Sequence, residues 1–253
     1  MLALVTATRN SMATLPDMLA SARAIHGRAR HVFVDGESTD GTPEYLRTWV
    51  DDNPGARLLV QRSTGLYEAL NEGIRAALDD REVTRIGMLH SDDRLVGDRY
   101  AEYLGHIETS DAAFHYADIE YHDADGRVVR RWRAGDYSRF KLNTGWMPPH
   151  TSVVVSKDVY RSSGLYNPSF GTAADYEWMV RVLLNGPDRI RYFPKRVLSM
   201  RVGGASNASL TARLEANRQD GRVWARRSRL QSMLVRVCKP ARKIGQFSWR
   251  SAT

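Results

Sequence analysis

The stretch His31-Val-Phe-Val-Asp-Gly-Glu-Ser-Thr-Asp-Gly-Thr-Pro43 contains an apolar β-rich run, a polar turn and a helix start in direct succession. His31–Asp35 reads as a strand, and the Asp-Gly pairs are turn formers. Thr42 and Pro43 read as the N-cap and first position of a helix, where proline's fixed φ and missing N–H are tolerated. The same unit recurs on both sides. Leu2–Thr6 is a strand, followed by a helix with Thr14 as cap and Asp17 at the capping-box spacing. Arg57–Gln61 is a third strand, Leu66–Leu78 a helix, and Arg85–His90 a fourth strand. Strand starts fall roughly 26–29 residues apart, long enough for right-handed βαβ crossovers, so a parallel sheet covered by helices is expected.

The pattern then changes. Phe114–His122 and Arg127–Arg133 flank the hairpin-type turn Asp123-Ala-Asp-Gly126. Thr151–Val155 is a further strand, with a short helix ending at Gly164, and Thr172–Asn185 is a helix stopped by Gly186-Pro187. The expected fold class is therefore α/β, a mixed and mainly parallel sheet flanked by helices, completed by an antiparallel extension. From about Leu210 the chain reads as helix and then basic tail.

The 253 residues suffice for one sizeable core. Net charge is +8, but the segment from residue 222 to 253 holds nine Arg and Lys and no acid, which leaves residues 1–221 at −1. The expected division is a domain over 1–221 and a basic tail over 222–253. A uniformly basic nucleic-acid binder is disfavoured by that split, and no nucleic-acid partner is expected. The lone Cys238 forms no intrachain disulfide and fits a reducing compartment. No run reaches the roughly 20 apolar residues of a membrane span, and the apolar N-terminus lacks a basic leader, so it reads as a strand.

In open α/β sheets, ligands sit beyond the carboxyl ends of the strands, and two acidic clusters fall there. His90-Ser-Asp-Asp93 follows the fourth strand. Adjacent carboxylates repel, and a hard cation such as Mg2+ or Mn2+ relieves this while binding diphosphate oxygens; the alternative is a cap on the next helix. Asp35 either forms a turn or bonds a base or ribose. Asp175 is either the capping-box partner of Thr172 or a general base facing the pocket. Glu177 and Arg181 are read as a surface helix pair, with Met179, Val182 and Leu183 as the core stripe.

Taken in order, five motifs resemble the family 2 inverting glycosyltransferases, closest to bacterial enzymes of exopolysaccharide, O-antigen and glycolipid assembly. They are Val-Thr-Ala-Thr-Arg-Asn10, Phe-Val-Asp-Gly-Glu-Ser-Thr-Asp-Gly-Thr42, Gly-Leu-Tyr-Glu-Ala-Leu-Asn-Glu-Gly73, Met-Leu-His-Ser-Asp-Asp93 and Ala-Ala-Asp-Tyr-Glu-Trp-Met-Val-Arg181. The resemblance covers about residues 1–205. It implies a GT-A (Rossmann-like) fold and a UDP-, GDP- or dTDP-linked sugar donor. It places Thr8, Asp35 and Glu37 at the nucleoside, Tyr67 and Asn71 beside the donor, and Asp92 near ribose or metal. Asp93 becomes the main ligand of Mn2+ or Mg2+, Asp175 the catalytic base, and His150 a group near the active site. Two departures stand out: His90 replaces an Asn frequent in relatives, and Ser63 replaces the Asp that often begins the third motif.

The implied reaction is inverting transfer to a hydroxyl of a glycolipid or lipid-linked saccharide. The basic tail, interleaved with Trp224, Leu230, Met233, Leu234, Val235, Val237 and Ile244, suits an anionic membrane surface, against the alternative of a solvated or packing helix. The expected location is cytoplasmic, peripheral on the cytoplasmic face of the inner membrane. A sugar nucleotidyltransferase would carry a glycine-rich loop after the first strand, where Ala-Thr-Arg-Asn-Ser11 stands. A non-catalytic nucleotide-sugar binder would not need Asp93 and Asp175 together.

Overall fold

The computed structural model describes residues 1–187, 189–202, 210–225 and 228–244. Its N-terminal half alternates strictly: β1 (Leu2–Thr8), α1 (Leu15–Ala22), β2 (Ala29–Asp35), α2 (Thr42–Asp52), β3 (Arg57–Val60), α3 (Leu66–Asp79) and β4 (Arg85–Met88). These strands lie parallel in the order β3-β2-β1-β4. Chain order reverses beside β1, with β2 on one flank and β4 on the other, which opens a crevice at the carboxyl edge. Residues 2–5 and 32–34 are apolar and buried on both sides, as strands sandwiched between helices must be. Ala3 and Val5 face the core shared with Leu70 and Ile74, while Leu2 and Leu4 face that of Leu15, Leu19 and Leu46.

The second half adds β5 (Arg94–Leu95), α4 (Gly97–Glu108), β6 (Phe114–His122), β7 (Val128–Trp132), α5 (Arg139–Asn143), β8 (Val154–Ser156), α6 (Lys157–Ser163), α7 (Ala174–Asn185) and β9 (Ile190–Arg201). β8 lies antiparallel between β4 and β6, β9 runs parallel to β6, and the β6–β7 hairpin turns at Asp123–Gly126. The result is the expected mixed sheet, with nine strands among the described residues.

Two helices follow, α8 (Leu210–Ala225) and α9 (Arg229–Ile244). The division expected at 221/222 falls inside α8. Trp224 is buried and donates Nε1–H to the Tyr176 hydroxyl at 2.9 Å. Lys239 pairs with Asp220 at 2.7 Å and lies 3.4 Å from the Tyr176 ring centroid. Ser232 Oγ donates to the Gly221 carbonyl. Much of the basic segment is thus packed helix. Arg226, Arg227 and Arg250 lie outside the described residues, as do the side chains of Lys243 and Ile244.

Three local expectations are corrected. Thr14 holds the N-cap position of α1 but makes no cap bond; its hydroxyl donates to the Ser11 carbonyl, and Asp17 pairs with Arg94. The cap of α2 is Gly41, at φ 89°, and Asp40 Oδ1 accepts from both the amide and the hydroxyl of Thr42. Glu177 and Arg181 do pair, at 2.8 Å, but they are largely shielded. Arg181 also donates to the Ser163 and Leu165 carbonyls, tying α7 to the loop after α6.

Candidate active site

The carboxyl ends of β1 and β2 bring Thr8 and Asp35 into register. Both are buried. Asp35 Oδ1 accepts from the Thr8 hydroxyl at 2.9 Å and the Ser38 hydroxyl at 2.6 Å, and Oδ2 accepts from the Ser38 amide at 2.9 Å. Asp35 therefore builds the turn after β2 while sitting at the crevice. Glu37 is exposed with φ 57°, a left-handed conformation uncommon for a side chain of its size. The loop after β1 is tied to the loop after β2, since Asn10 Oδ1 accepts from the Thr39 amide and Asp40 Oδ2 from the Met12 amide, each at 2.9 Å.

β4 delivers His90, Ser91, Asp92 and Asp93 to the same edge, and the turn closes through the Asp93 amide onto the His90 carbonyl at 3.1 Å. Asp93 is 1% exposed, and its Oδ2 has no hydrogen-bond partner. Burial pushes its carboxyl well above the ordinary range, the charge of Asp92 adds to this, and the Arg201 backbone N–H opposes it. A buried carboxylate oxygen without a donor, beside a second carboxylate, fits a hard divalent cation. No three His, Cys, Asp or Glu side chains among the described residues converge as a closed metal cage. Mg2+-like ions need none, because one or two carboxylates, water and substrate phosphates complete their shell. A cleft of about 240 Å³ opens beside Asp92, lined also by Asp17, Arg94, His122, Asp123 and Arg201.

Asp175 begins α7, and the capping-box alternative fails. Thr172 gives its hydroxyl to Gln219 of α8 at 2.9 Å, and the N-cap position is Ala173. Asp175 Oδ1 accepts from the Tyr176 amide, while Oδ2 stands 3.4 Å from His150 Nδ1. On the far side of the His150 ring, Nε2 lies 3.1 Å from His90 Nε2. Burial, with the charge of His150 second, drives the His90 imidazole down to about 3. Tyr67 also reaches Asp175: burial first, and then the Asp175 charge, raise its phenol well above the ordinary value. Tyr121, buried on β6, feels both acidic centres. Burial raises its phenol, Arg130 at 4.6 Å from its ring centroid opposes, and the charges of Asp93 and Asp175 both add.

Asn71 has a different task from its neighbour Tyr67. Its side-chain amide is satisfied in both directions by the Tyr166 backbone, each bond 3.0 Å, so it fixes the segment leading to α7. Ser63 gives its amide and hydroxyl to Glu72 on α3. The sequence did not point to Tyr121, nor to the His90–His150 contact, because both depend on pairings across elements distant in the chain.

The sequence and the fold have known counterparts. The Glycosyl transferase family 2 profile matches residues 3–161. A PGL/p-HBAD biosynthesis glycosyltransferase of Mycobacterium tuberculosis is 31% identical over 218 residues, spanning 82% of this chain and 79% of its own length. An uncharacterized glycosyltransferase of the same species is 26% identical over 198 residues, spanning 71% and 68%. S. aureus TarS 1-349 in complex with UDP superposes with a TM-score of 0.68 at 14% identity, covering 96% of this chain and 72% of that one. The mannosyltransferase PcManGT of Pyrobaculum calidifontis, in complex with GDP-Man and Mn2+, gives 0.65 at 14% identity, covering 100% and 76%. The two structures show the GT-A fold, and the profile and the 31% relative show the family: the chain belongs to glycosyl transferase family 2, the nucleotide-sugar-dependent glycosyltransferases.

Proposed function

We propose that this transferase moves a sugar, with inversion, from a nucleoside-diphosphate sugar to a hydroxyl of a glycolipid or lipid-linked saccharide, using Asp175 as base and a divalent metal at Asp93. The observation that carries this reading is a pair of carboxylates: Asp93, buried after β4 with an unpaired oxygen, and Asp175 at the start of α7, with His150 Nδ1 3.4 Å from its Oδ2. The acceptor oxygen attacks the anomeric carbon opposite the diphosphate. The new C–O bond forms as the bond to the phosphate oxygen breaks, its electron pair leaves with the diphosphate, and the hydroxyl proton passes to Asp175. A positioned base of this kind contributes about 10² to 10⁴-fold.

Asp93, with Asp92 beside it, would hold Mn2+ or Mg2+, which supplies positive charge against the diphosphate as it departs. Thr8, Asp35 and Glu37 line the nucleoside end, Tyr67 borders the donor beside Asp175, and Asn71 supports that wall. The transferase unit takes in α8 and α9, which pack on Tyr176, and α9 adds a surface suited to anionic lipid. On that helix Leu230, Met233, Leu234 and Val237 stand at i, i+3, i+4 and i+7 and are exposed, beside Arg229, Arg236 and Arg242. That surface supports a lipid-carried acceptor and a peripheral position on the cytoplasmic face of the membrane. No helix among the described residues is long and apolar enough to cross a membrane.

The test is a thermal-shift panel of UDP, GDP, dTDP and CMP, each with and without Mn2+. Because a ligand that binds only the folded state raises the midpoint, one nucleoside diphosphate is expected to stabilise the protein in a metal-dependent way. No shift with any of them, in a folded preparation, would overturn the donor reading.

A further inference from the structure

We propose that His150 is a positioning residue for Asp175, and that His90 sets which nitrogen of His150 carries the proton facing it. The inference rests on the reading of Asp175 as the base and adds to it a chain of contacts, His90 to His150 by a hydrogen bond at 3.1 Å and His150 Nδ1 to Asp175 Oδ2 by an ion-pair contact at 3.4 Å.

The geometry restricts the protons. The rings of His90 and His150 meet nitrogen to nitrogen at 3.1 Å, with centroids 5.3 Å apart and planes inclined by 54°, so the contact is directional and not a stack. Two imidazole nitrogens at that distance share one proton: both bare repel through their lone pairs, and both protonated clash. If His150 Nε2 held the only proton on its ring, a bare Nδ1 would face the Asp175 carboxylate at 3.4 Å, again lone pair to lone pair. Every assignment that satisfies both contacts with Asp175 ionised puts a proton on His150 Nδ1. With both rings neutral, His90 Nε2–H donates to His150 Nε2 and so selects that tautomer. Such a partner on the far nitrogen is the usual way a histidine's orientation is fixed.

The chain is also mechanically anchored. His150 opens a 3₁₀ turn directly after Pro148-Pro149. Ser152 in that turn donates its hydroxyl to the Ala117 and Pro149 carbonyls at 2.9 and 2.8 Å, and accepts the Ala117 amide at 3.1 Å. The turn is thereby bolted to β6. The other Asp175 oxygen is held by the Tyr176 amide. His150 Nδ1 stands against Oδ2 at 3.4 Å, so both carboxylate oxygens have a polar neighbour that biases their orientation. A group held within half an ångström works where a loose one does not.

Two near-isosteres separate positioning from packing. In His150→Asn the amide nitrogen takes the place of Nδ1, keeping the donor to Asp175 and losing the His90 contact. In His150→Gln the amide reaches the place of Nε2, keeping His90 and losing Asp175. We measure kcat, KM, donor dissociation constant and melting midpoint for both, for His90→Ala, and for His90→Ala combined with His150→Gln. Expected is a kcat loss of about 10- to 100-fold for His150→Gln, substantial recovery in His150→Asn, and donor affinity within about 3-fold throughout. His90→Ala lowers kcat alone and adds little in the His150→Gln background, the non-additivity of a shared chain.

The proposal is overturned if Asn falls as far as Gln, if donor affinity drops in step with kcat, or if the His90 and His150 effects multiply independently. Should a His150 variant not melt cooperatively, His90→Ala decides: unchanged kcat refutes the chain. Asp175→Asn separates the two levels. Retained turnover in that variant sinks the base assignment itself, whereas lost turnover with an innocuous His150→Gln sinks only the positioning role.

Discussion

Asp93 is the residue at which burial and charge conflict most sharply. Its Oδ2 is shielded from water and has no donor, an arrangement that costs free energy unless a cation supplies the missing charge. Asp93→Asn is therefore expected to leave the metal-free melting midpoint unchanged or raised, and to abolish the Mn2+-dependent part of any nucleotide shift. A metal-free midpoint lowered by several degrees would instead make Asp93 a structural carboxylate. Away from the site, His115 is buried with neither ring nitrogen bonded, and His31 with Nδ1 unbonded. Burial pushes His115 down to about 3, with Arg85 and His106 adding, and His31 down to about 4, with His26 adding. Unfolded histidines titrate near 6.5, so below that pH the unfolded chain binds more protons than the folded one. Stability is complete above about pH 6.5 and is lost on acidification toward pH 4, by up to ~1.4 kcal/mol per pH unit per histidine. Urea midpoints at pH 7 and pH 5 measure this, and His115→Phe should flatten the slope. A slope unchanged by that substitution would count against the assignment.

At the scale of elements, α3 sits unusually close to the sheet because residue 73 has no side chain. A Cβ there would lie 2.4 Å from Val5 Cγ1 and 3.1 Å from Val34 Cγ2, both in strands β1 and β2. Gly73→Ala gains up to ~1 kcal/mol of helix propensity, but the forced displacement of branched strand residues outweighs it. A net loss of about 1–2 kcal/mol is expected by denaturant titration, and a gain in stability would show that α3 can shift freely. The strands and helices of the parallel half were legible from sequence because both faces of β1 and β2 are buried and leave continuous apolar runs. Asp35, Asp93 and Asp175 were legible as positions at strand and helix ends. Their partners were not. The Thr172–Asp175 spacing suggested a cap, yet Pro168–Ala173 forms a 3₁₀ segment and Thr172 turns to Gln219 on α8. Asn71 matched a donor-side motif, yet its amide is consumed by Tyr166. Such bonds follow from packing between distant segments, which local periodicity does not report.

On the scale of the whole molecule, the C-terminal helices join the start of α7 to an outer face. α8 and α9 close over Tyr176, the residue after Asp175, through Trp224 and Lys239. The opposite side of α9 exposes Leu230 at 67%, Met233 at 67% and Val237 at 71%. If that stripe rests on lipid, Asp175, proposed as the base, lies one residue from the Tyr176 that α9 packs on, an arrangement suited to an acceptor held in the bilayer. The doublet Leu230→Gln with Val237→Gln should reduce sedimentation with vesicles containing anionic lipid while leaving turnover on a soluble acceptor analogue intact. Retained binding to those vesicles would show that α9 contacts something else.

The most direct measurement on the central claim is the Asp175→Asn variant, with kcat and donor dissociation constant determined side by side. A carboxylate that only takes a proton should, when lost, lower kcat by about 10² to 10⁴-fold and leave donor affinity within about 3-fold. Turnover that survives the substitution, or donor affinity that falls by the same factor as kcat, would contradict the assignment of Asp175 as the base.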